Sequence, residues 1–272
     1  MDLGQRKKAY RNKKINELAN YIAENYIEAN QLNLDLILSD ESIHLYYDNY
    51  GNSFDGLLTF DSESFHIHIN AEMGNFKGSK RSRFSIAHEL GHYFIPEHNQ
   101  SIIDGTFPLH TSKFEANQNN AIEQEADYFA ACLLMPSVIF KKACYKKVFS
   151  LNLIEELSKE FNVSKTAVLL RFTDIDAGTY PLMIFFFRKG VLSSFKKSSD
   201  FPFKDVPFKT KIGQPPPKTS VIGEYYLNKE TKFKEVMEVS VTDWFWRDSN
   251  IKLNEQCFYS DYDYDISILW PD

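Results

Sequence analysis

The chain of 272 residues is 43% hydrophobic and 25% charged, with 11 Gly and 10 Pro, which excludes disordered and low-complexity classes and suits two modest domains or one large one. Its net charge of −6 argues against a surface that binds nucleic acid through a general excess of Lys and Arg. No apolar run approaches the roughly 20 residues that span a bilayer, the first residues are charged where a signal peptide is apolar, and the three cysteines (Cys132, Cys144, Cys257) form no close pair. A soluble, cytoplasmic protein with buried thiols is expected.

Residues 12–29 carry Ile15, Leu18, Ala19, Ile22 and Tyr26 at spacings of three and four, the apolar stripe of an amphipathic helix. Three short runs follow, Ile43 to Tyr47, Leu57 to Phe60 and Phe65 to Ile69, separated by Asp, Asn, Gly and Ser clusters that predict turns and a small sheet. His66 and His68 share parity on the last run, which reads more simply as exposed positions of an edge strand than as metal ligands. That edge is expected to pair with an extended polypeptide substrate by strand addition. A basic loop (Lys77, Lys80, Arg81, Arg83) then leads into a helix from Phe84 to Ile95 that stops at Pro96.

Within this helix stands His88-Glu89-Leu90-Gly91-His92, the His-Glu-x-x-His pattern of zinc peptidases. Two imidazoles four residues apart project from one helix face and can reach a single ion, while Glu89, rotated away, can hold an attacking water and take its proton. A catalytic zinc site wants three protein ligands, so a carboxylate on another helix should face the pair. The spacing of Ile122, Ala126, Phe129 and Leu133 predicts that helix, ending at Pro136. Of its acids, Glu123 and Asp127 share a face, whereas Glu125 is turned by about 200° from Glu123. Glu123 is therefore the expected third ligand, and Asp127 the acceptor of a histidine's second ring N–H, a role that competes with that of a plain solvated acid. Tyr93, Tyr128 and His98 are candidates for stabilising the tetrahedral oxyanion, and their order is open.

Arg83-Phe84-Ser85-Ile86-Ala87-His88-Glu89-Leu90-Gly91-His92, followed by Glu123-Gln124-Glu125-Ala126-Asp127-Tyr128-Phe129-Ala130-Ala131 and Leu133-Leu134-Met135-Pro136, resembles the ImmA/IrrE family of metallopeptidases. The resemblance extends over roughly residues 12–175. It implies a zincin-like fold, His88, His92 and Glu123 as metal ligands, and Glu89 as the catalytic glutamate. The family usually has Asn where Asp127 stands. It also implies a substrate class, helix-turn-helix repressors that are cleaved or inactivated.

Residues 150–175 predict two short helices, Leu151 to Phe161 and Ser164 to Thr173, with Ser164 as N-cap. Their outline is that of a helix-turn-helix, yet three basic side chains (Lys159, Lys165, Arg171) face five acidic ones (Glu155, Glu156, Glu160, Asp174, Asp176), an unfavourable balance for DNA. From Tyr180 onward Phe-, Tyr-, Val- and Ile-rich runs predict strands. Residues 188–218 hold eight basic and two acidic side chains and 219–272 five and eleven, which reads as an interaction face or as two solvated edges of one sheet.

The expected architecture is α+β, with a zincin-like metallopeptidase domain over 1–148, a helix-turn-helix-like segment over 149–177 and a β-rich C-terminal sensor or docking domain over 178–272. The expected function is a zinc-dependent endopeptidase with one Zn²⁺ per chain, acting on a protein substrate, with no direct nucleic-acid or membrane binding. The alternatives are a metal-binding regulator that sequesters a repressor without cutting it, which an intact Glu89 disfavours, and a DNA-binding regulator using 149–177, which the charge disfavours.

Overall fold

The computed structural model describes residues 3–106, 120–228, 235–259 and 264–272. They form an α+β protein with two compact units, residues 1–145 with 155–167, and residues 146–154 with 168–272. Among the described residues no helix is long and apolar enough to cross a membrane.

In the first unit, α1 (Leu3–Ala23) buries Ile15, Ala19, Ile22 and Ala23. It starts earlier than its apolar stripe suggests, and it also stops earlier, because the chain reverses at Ala29 and Asn30, both at positive φ, between the two-residue strands β1 (Ile27–Glu28) and β2 (Gln31–Leu32). The short α2 (Leu34–Asp40) follows, capped by Asn33, whose side chain accepts from Leu36 N.

The sheet consists of β3 (His44–Asp48), β4 (Gly56–Phe60) and β5 (Phe65–Asn70) in the order β3-β5-β4. β4 and β5 form an antiparallel hairpin whose turn is held by Asp61 Oδ1, which accepts from Glu63 N and Ser64 N, while β3 lies parallel on the other side of β5. Strand 65–70 is therefore central and the expected edge for substrate is elsewhere, on β4 or β3. Alternation along a strand reports its faces but not its neighbours, which is why sequence parity misassigned it. On β5, Ile67 and Ile69 are buried, and His66 and His68 occupy the opposite face.

Against β4 and β5 packs α3 (Lys80–Phe94), and α5 (Ala121–Leu134) packs on α3. Pro96 ends α3 but also opens α4 (Pro96–Ile103), and Pro136 likewise precedes α6 (Ser137–Cys144). Proline suits a first helical position because the missing N–H has no intrahelical partner there. The two helices α7 (Leu151–Glu160) and α8 (Lys165–Thr173) lie close to their expected bounds, and Ser164 Oγ accepts from Ala167 N. By residue, this segment is shared between the two units. Every residue of α8 is buried or half-buried, and Arg171 lies wholly buried against Asp174 and Asp176 at 3.0 and 2.7 Å.

The second unit is built on an antiparallel five-stranded sheet of order β7-β6-β10-β9-β8, from β6 (Met183–Arg188), β7 (Val191–Lys197), β8 (Met237–Ser240), β9 (Lys252–Tyr259) and β10 (Asp265–Pro271). Two helices, α9 (Val221–Asn228) and α10 (Val241–Trp244), cover its aromatic core, in which Phe185 stacks on Trp244 at 4.3 Å. Glu255 of β9 is completely buried there. Its carboxylate accepts from Val221 N (3.0 Å), Ile222 N (3.2 Å), Trp244 Nε1 (2.8 Å) and Ser267 Oγ (2.8 Å), so a distant acid caps the start of α9. Burial raises its pKa, and these donors oppose the rise.

Candidate metal centre

The centre lies where α3 and α5 meet. Ser79 starts α3 by accepting from Ser82 N, and Asn120 starts α5 by accepting from Ile122 N. These caps set the phase of each helix, which puts His88 and His92 one turn apart on the α3 face toward α5 and Glu123 in the first turn of α5. Gly91 lets the helices approach. A Cβ there would lie 3.1 Å from Ala126 Cα and 3.2 Å from Phe129 Cδ1.

The three residues are between 1% and 6% exposed. His88 Nε2 stands 3.1 Å from His92 Nε2 and 3.3 Å from Glu123 Oε2, and His92 Nε2 stands 3.5 Å from Glu123 Oε1. Ligands at about 2.0–2.1 Å from one ion and at tetrahedral angles are separated by about 3.3 Å, so the donor set and its spacing fit a metal ion. Among the described residues, this is the group of His, Cys, Asp and Glu side chains placed to hold one.

Asp127 Oδ1 lies 2.9 Å from His88 Nδ1. A ring that donates from Nδ1 keeps its Nε2 lone pair for the centre. Burial opposes charge on His88, but hydrogen bonds to Asp127 and Glu123 outweigh it and hold the pKa well above the ordinary imidazole value. Glu89 is buried on another face of α3, toward the first residue of β4. A Cβ at Gly56 would meet Glu89 Oε1 at 2.7 Å, so glycine makes the room that this carboxylate occupies. The start of β4 is tied to α3 by Asp55, which takes Arg81 Nη2 on both oxygens at 2.8 and 3.0 Å. Sequence reading counted Arg81 only as a loop cation, and no spacing signal links it to Asp55.

The remaining candidates are distributed differently. Tyr93 donates to Glu41 Oε2 at 2.8 Å and packs its ring on Phe65, with a pKa pushed up to about 12 by burial and by Glu41. Tyr128 is half-buried on α5. His98 is buried beside His92, and burial lowers its pKa. Glu125, turned from Glu123 as its position on the helix dictates, meets Arg11 and His98. His66 pairs with Asp61, and His68 meets the Tyr50 hydroxyl and stacks on Tyr46, so both serve the outer face of the sheet.

Comparison with known proteins gives a consistent picture. Residues 40–173 match the family model described as the IrrE N-terminal-like domain, Peptidase_M78. No curated protein matches the chain. A solved structure described as a Mycobacterium tuberculosis transcriptional regulator superposes with a TM-score of 0.63 at 15% identity, covering 95% of this chain and 76% of that one. At that identity the likeness is one of fold.

Proposed function

Because residues 40–173 match the IrrE N-terminal-like domain of the M78 peptidases, we propose that the chain is a zinc-dependent endopeptidase whose substrate is a helix-turn-helix transcriptional repressor. The observation that carries this reading is the buried triangle of His88, His92 and Glu123, with the Glu89 carboxylate on the same helix beside it. Two imidazoles and one carboxylate suit Zn²⁺, one per chain, better than the all-oxygen shells of Mg²⁺ or Ca²⁺. Zinc at such a site supplies Lewis acidity, which lowers the pKa of water from 15.7 towards about 7 and polarises a scissile carbonyl.

The chain's own residues do the rest. Asp127 keeps His88 in the tautomer that aims Nε2 inward. Glu89 accepts the proton of the attacking water and returns it to the leaving amine. An extended substrate backbone adds beside β4, which pairs with β5 alone among the described strands and begins at Gly56 next to Glu89. The repressor as substrate is supported by the family resemblance and is in keeping with the regulator-like fold of the solved neighbour. The buried side chains of Cys132, Cys144 and Cys257 suit the reducing cytoplasm. The DNA-binding alternative is disfavoured by the acidic balance of residues 150–176 and by Arg171, whose charge is buried against Asp174 and Asp176.

The test is cleavage of candidate helix-turn-helix repressors from the same genome, followed by electrophoresis. Zinc-loaded parent is expected to give discrete fragments that a chelator abolishes. Glu89→Gln is expected to keep its zinc and lose roughly 10²–10⁴-fold in rate. A Glu89→Gln chain that cuts as fast as the parent would remove Glu89 from the mechanism, and one that relieves repression as well as the parent would favour sequestration.

A further inference from the structure

An imidazole on a helix keeps freedom about its second side-chain torsion, so a histidine ligand needs a further contact to fix its ring plane. His88 has the Asp127 carboxylate for this. Against His92 packs a ring: His98 on α4 is buried, its centroid lies 5.2 Å from that of His92 and its plane is inclined by 37°. His98 Nε2 in turn stands 3.2 Å from Glu125 Oε2.

The same oxygen accepts from Arg11 Nε at 3.0 Å and Nη2 at 2.8 Å. Arg11 also grips Glu97, on α4 next to His98, at 3.0 and 2.9 Å. One guanidinium thus fixes both the carboxylate that holds His98 and the helix that carries it. Arg11 belongs to α1, 114 residues from Glu125 and outside the matched residues 40–173.

We propose that His98, clamped by Glu125 and Arg11, is the positioning residue for His92, so that the metal centre is completed by a helix lying outside the family domain. The inference rests on the reading of His88, His92 and Glu123 as an ion site. It turns Glu125 from a bystander on the wrong face of α5 into part of the scaffold of the site.

The experiment uses the full chain and two readouts, zinc affinity by chelator competition and the visible absorption of the cobalt(II)-substituted protein, which reports ligand geometry. His98→Ala and Arg11→Ala are each expected to lower zinc affinity about tenfold and to shift the cobalt bands, with saturating stoichiometry unchanged. The double variant should bind no more weakly than His98→Ala alone, since both act through one chain of contacts. Lys8→Ala breaks the neighbouring Lys8–Gln124 bond between the same two helices and should leave both readouts at the parent level. Arg11, on the surface, keeps the test open if His98→Ala fails to fold. Unchanged affinity and spectra in the Arg11 and His98 variants would overturn the proposal, and so would a Lys8 variant as weak as the Arg11 one. A parent that holds no metal would sink the site reading itself, an outcome visible before any variant is made.

Discussion

Both units of the molecule bury glutamates, and Glu123 of the first and Glu255 of the second are surrounded by groups of different kinds. Around Glu255 converge two backbone amides, an indole N–H and a hydroxyl, four donors fixed by α9, α10 and β10. Their protons saturate the carboxylate, which locks these elements together and has no capacity left for chemistry. Around Glu123 stand two imidazoles whose Nε2 atoms, unlike an amide N–H, offer a lone pair once their proton is displaced. Three lone-pair donors aimed at one point make a ligand set. Burial of an acid therefore does not identify a functional site; the nature of the atoms pointing at it does.

The widest break of this comparison comes from the same substitution in both places. Glu123→Gln is expected to weaken zinc retention by more than about a hundredfold, beyond the loss seen with residues that only support ligands, and to leave the second unit intact. Glu255→Gln is expected to leave zinc stoichiometry at the parent level while destabilising the second unit by about 3 kcal/mol, because an amide NH₂ is set against donors that need an acceptor. All three tryptophans, Trp244, Trp246 and Trp270, lie in the second unit, so denaturation followed by tryptophan fluorescence reads that unit separately. Metal analysis after desalting reads the other. If Glu255→Gln lost its zinc, or Glu123→Gln kept it, the distinction between the two acids would collapse.

Gly91→Ala sharpens the first half of the comparison without touching a ligand. Its Cβ would press on Ala126 Cα at 3.1 Å, so α5 must retreat and carry Glu123 away from the histidines. Overpacking of this kind costs about 1–3 kcal/mol, and zinc affinity should fall with it while tryptophan-detected unfolding stays unchanged. Parent-like chelator competition by this variant would show that the triangle tolerates a wider helix spacing than its geometry suggests.

What the sequence made legible follows from which signals are local. His88, His92, Glu123 and Asp127 could be brought together because helical phase relates residues within α3 and within α5, and the chemistry of an ion supplies the link between the two helices. Helices α4 and α6 were hidden because Pro96 and Pro136 were read only as stops, although proline also opens a helix. Helix α2, seven residues long, is too short to show a period. The central place of β5 and the contacts of Arg81 with Asp55 and of Arg11 with Glu125 are tertiary facts. They join residues 26 and 114 positions apart, and nothing in the spacing of such pairs distinguishes them from other surface charges.

The smallest expected effect concerns Gly56, where glycine separates catalysis from metal binding. A Cβ at this position would lie 2.7 Å from Glu89 Oε1, closer than unbonded atoms remain, but the obstructed group is the free end of a flexible side chain. Gly56→Ala should therefore fold, hold its zinc like the parent and swing the Glu89 carboxylate aside by a fraction of its length. Misplacement of a reacting group by about 1 Å costs up to 10²-fold, so cleavage should slow by roughly tenfold, less than on losing the carboxylate in Glu89→Gln. The two variants combined should be no slower than Glu89→Gln alone, since the glycine acts only through that carboxylate. Loss of zinc by Gly56→Ala would place Glu89 among the ion's ligands instead of beside them, and an unchanged rate would mean that the carboxylate works from a position other than the one it holds against β4.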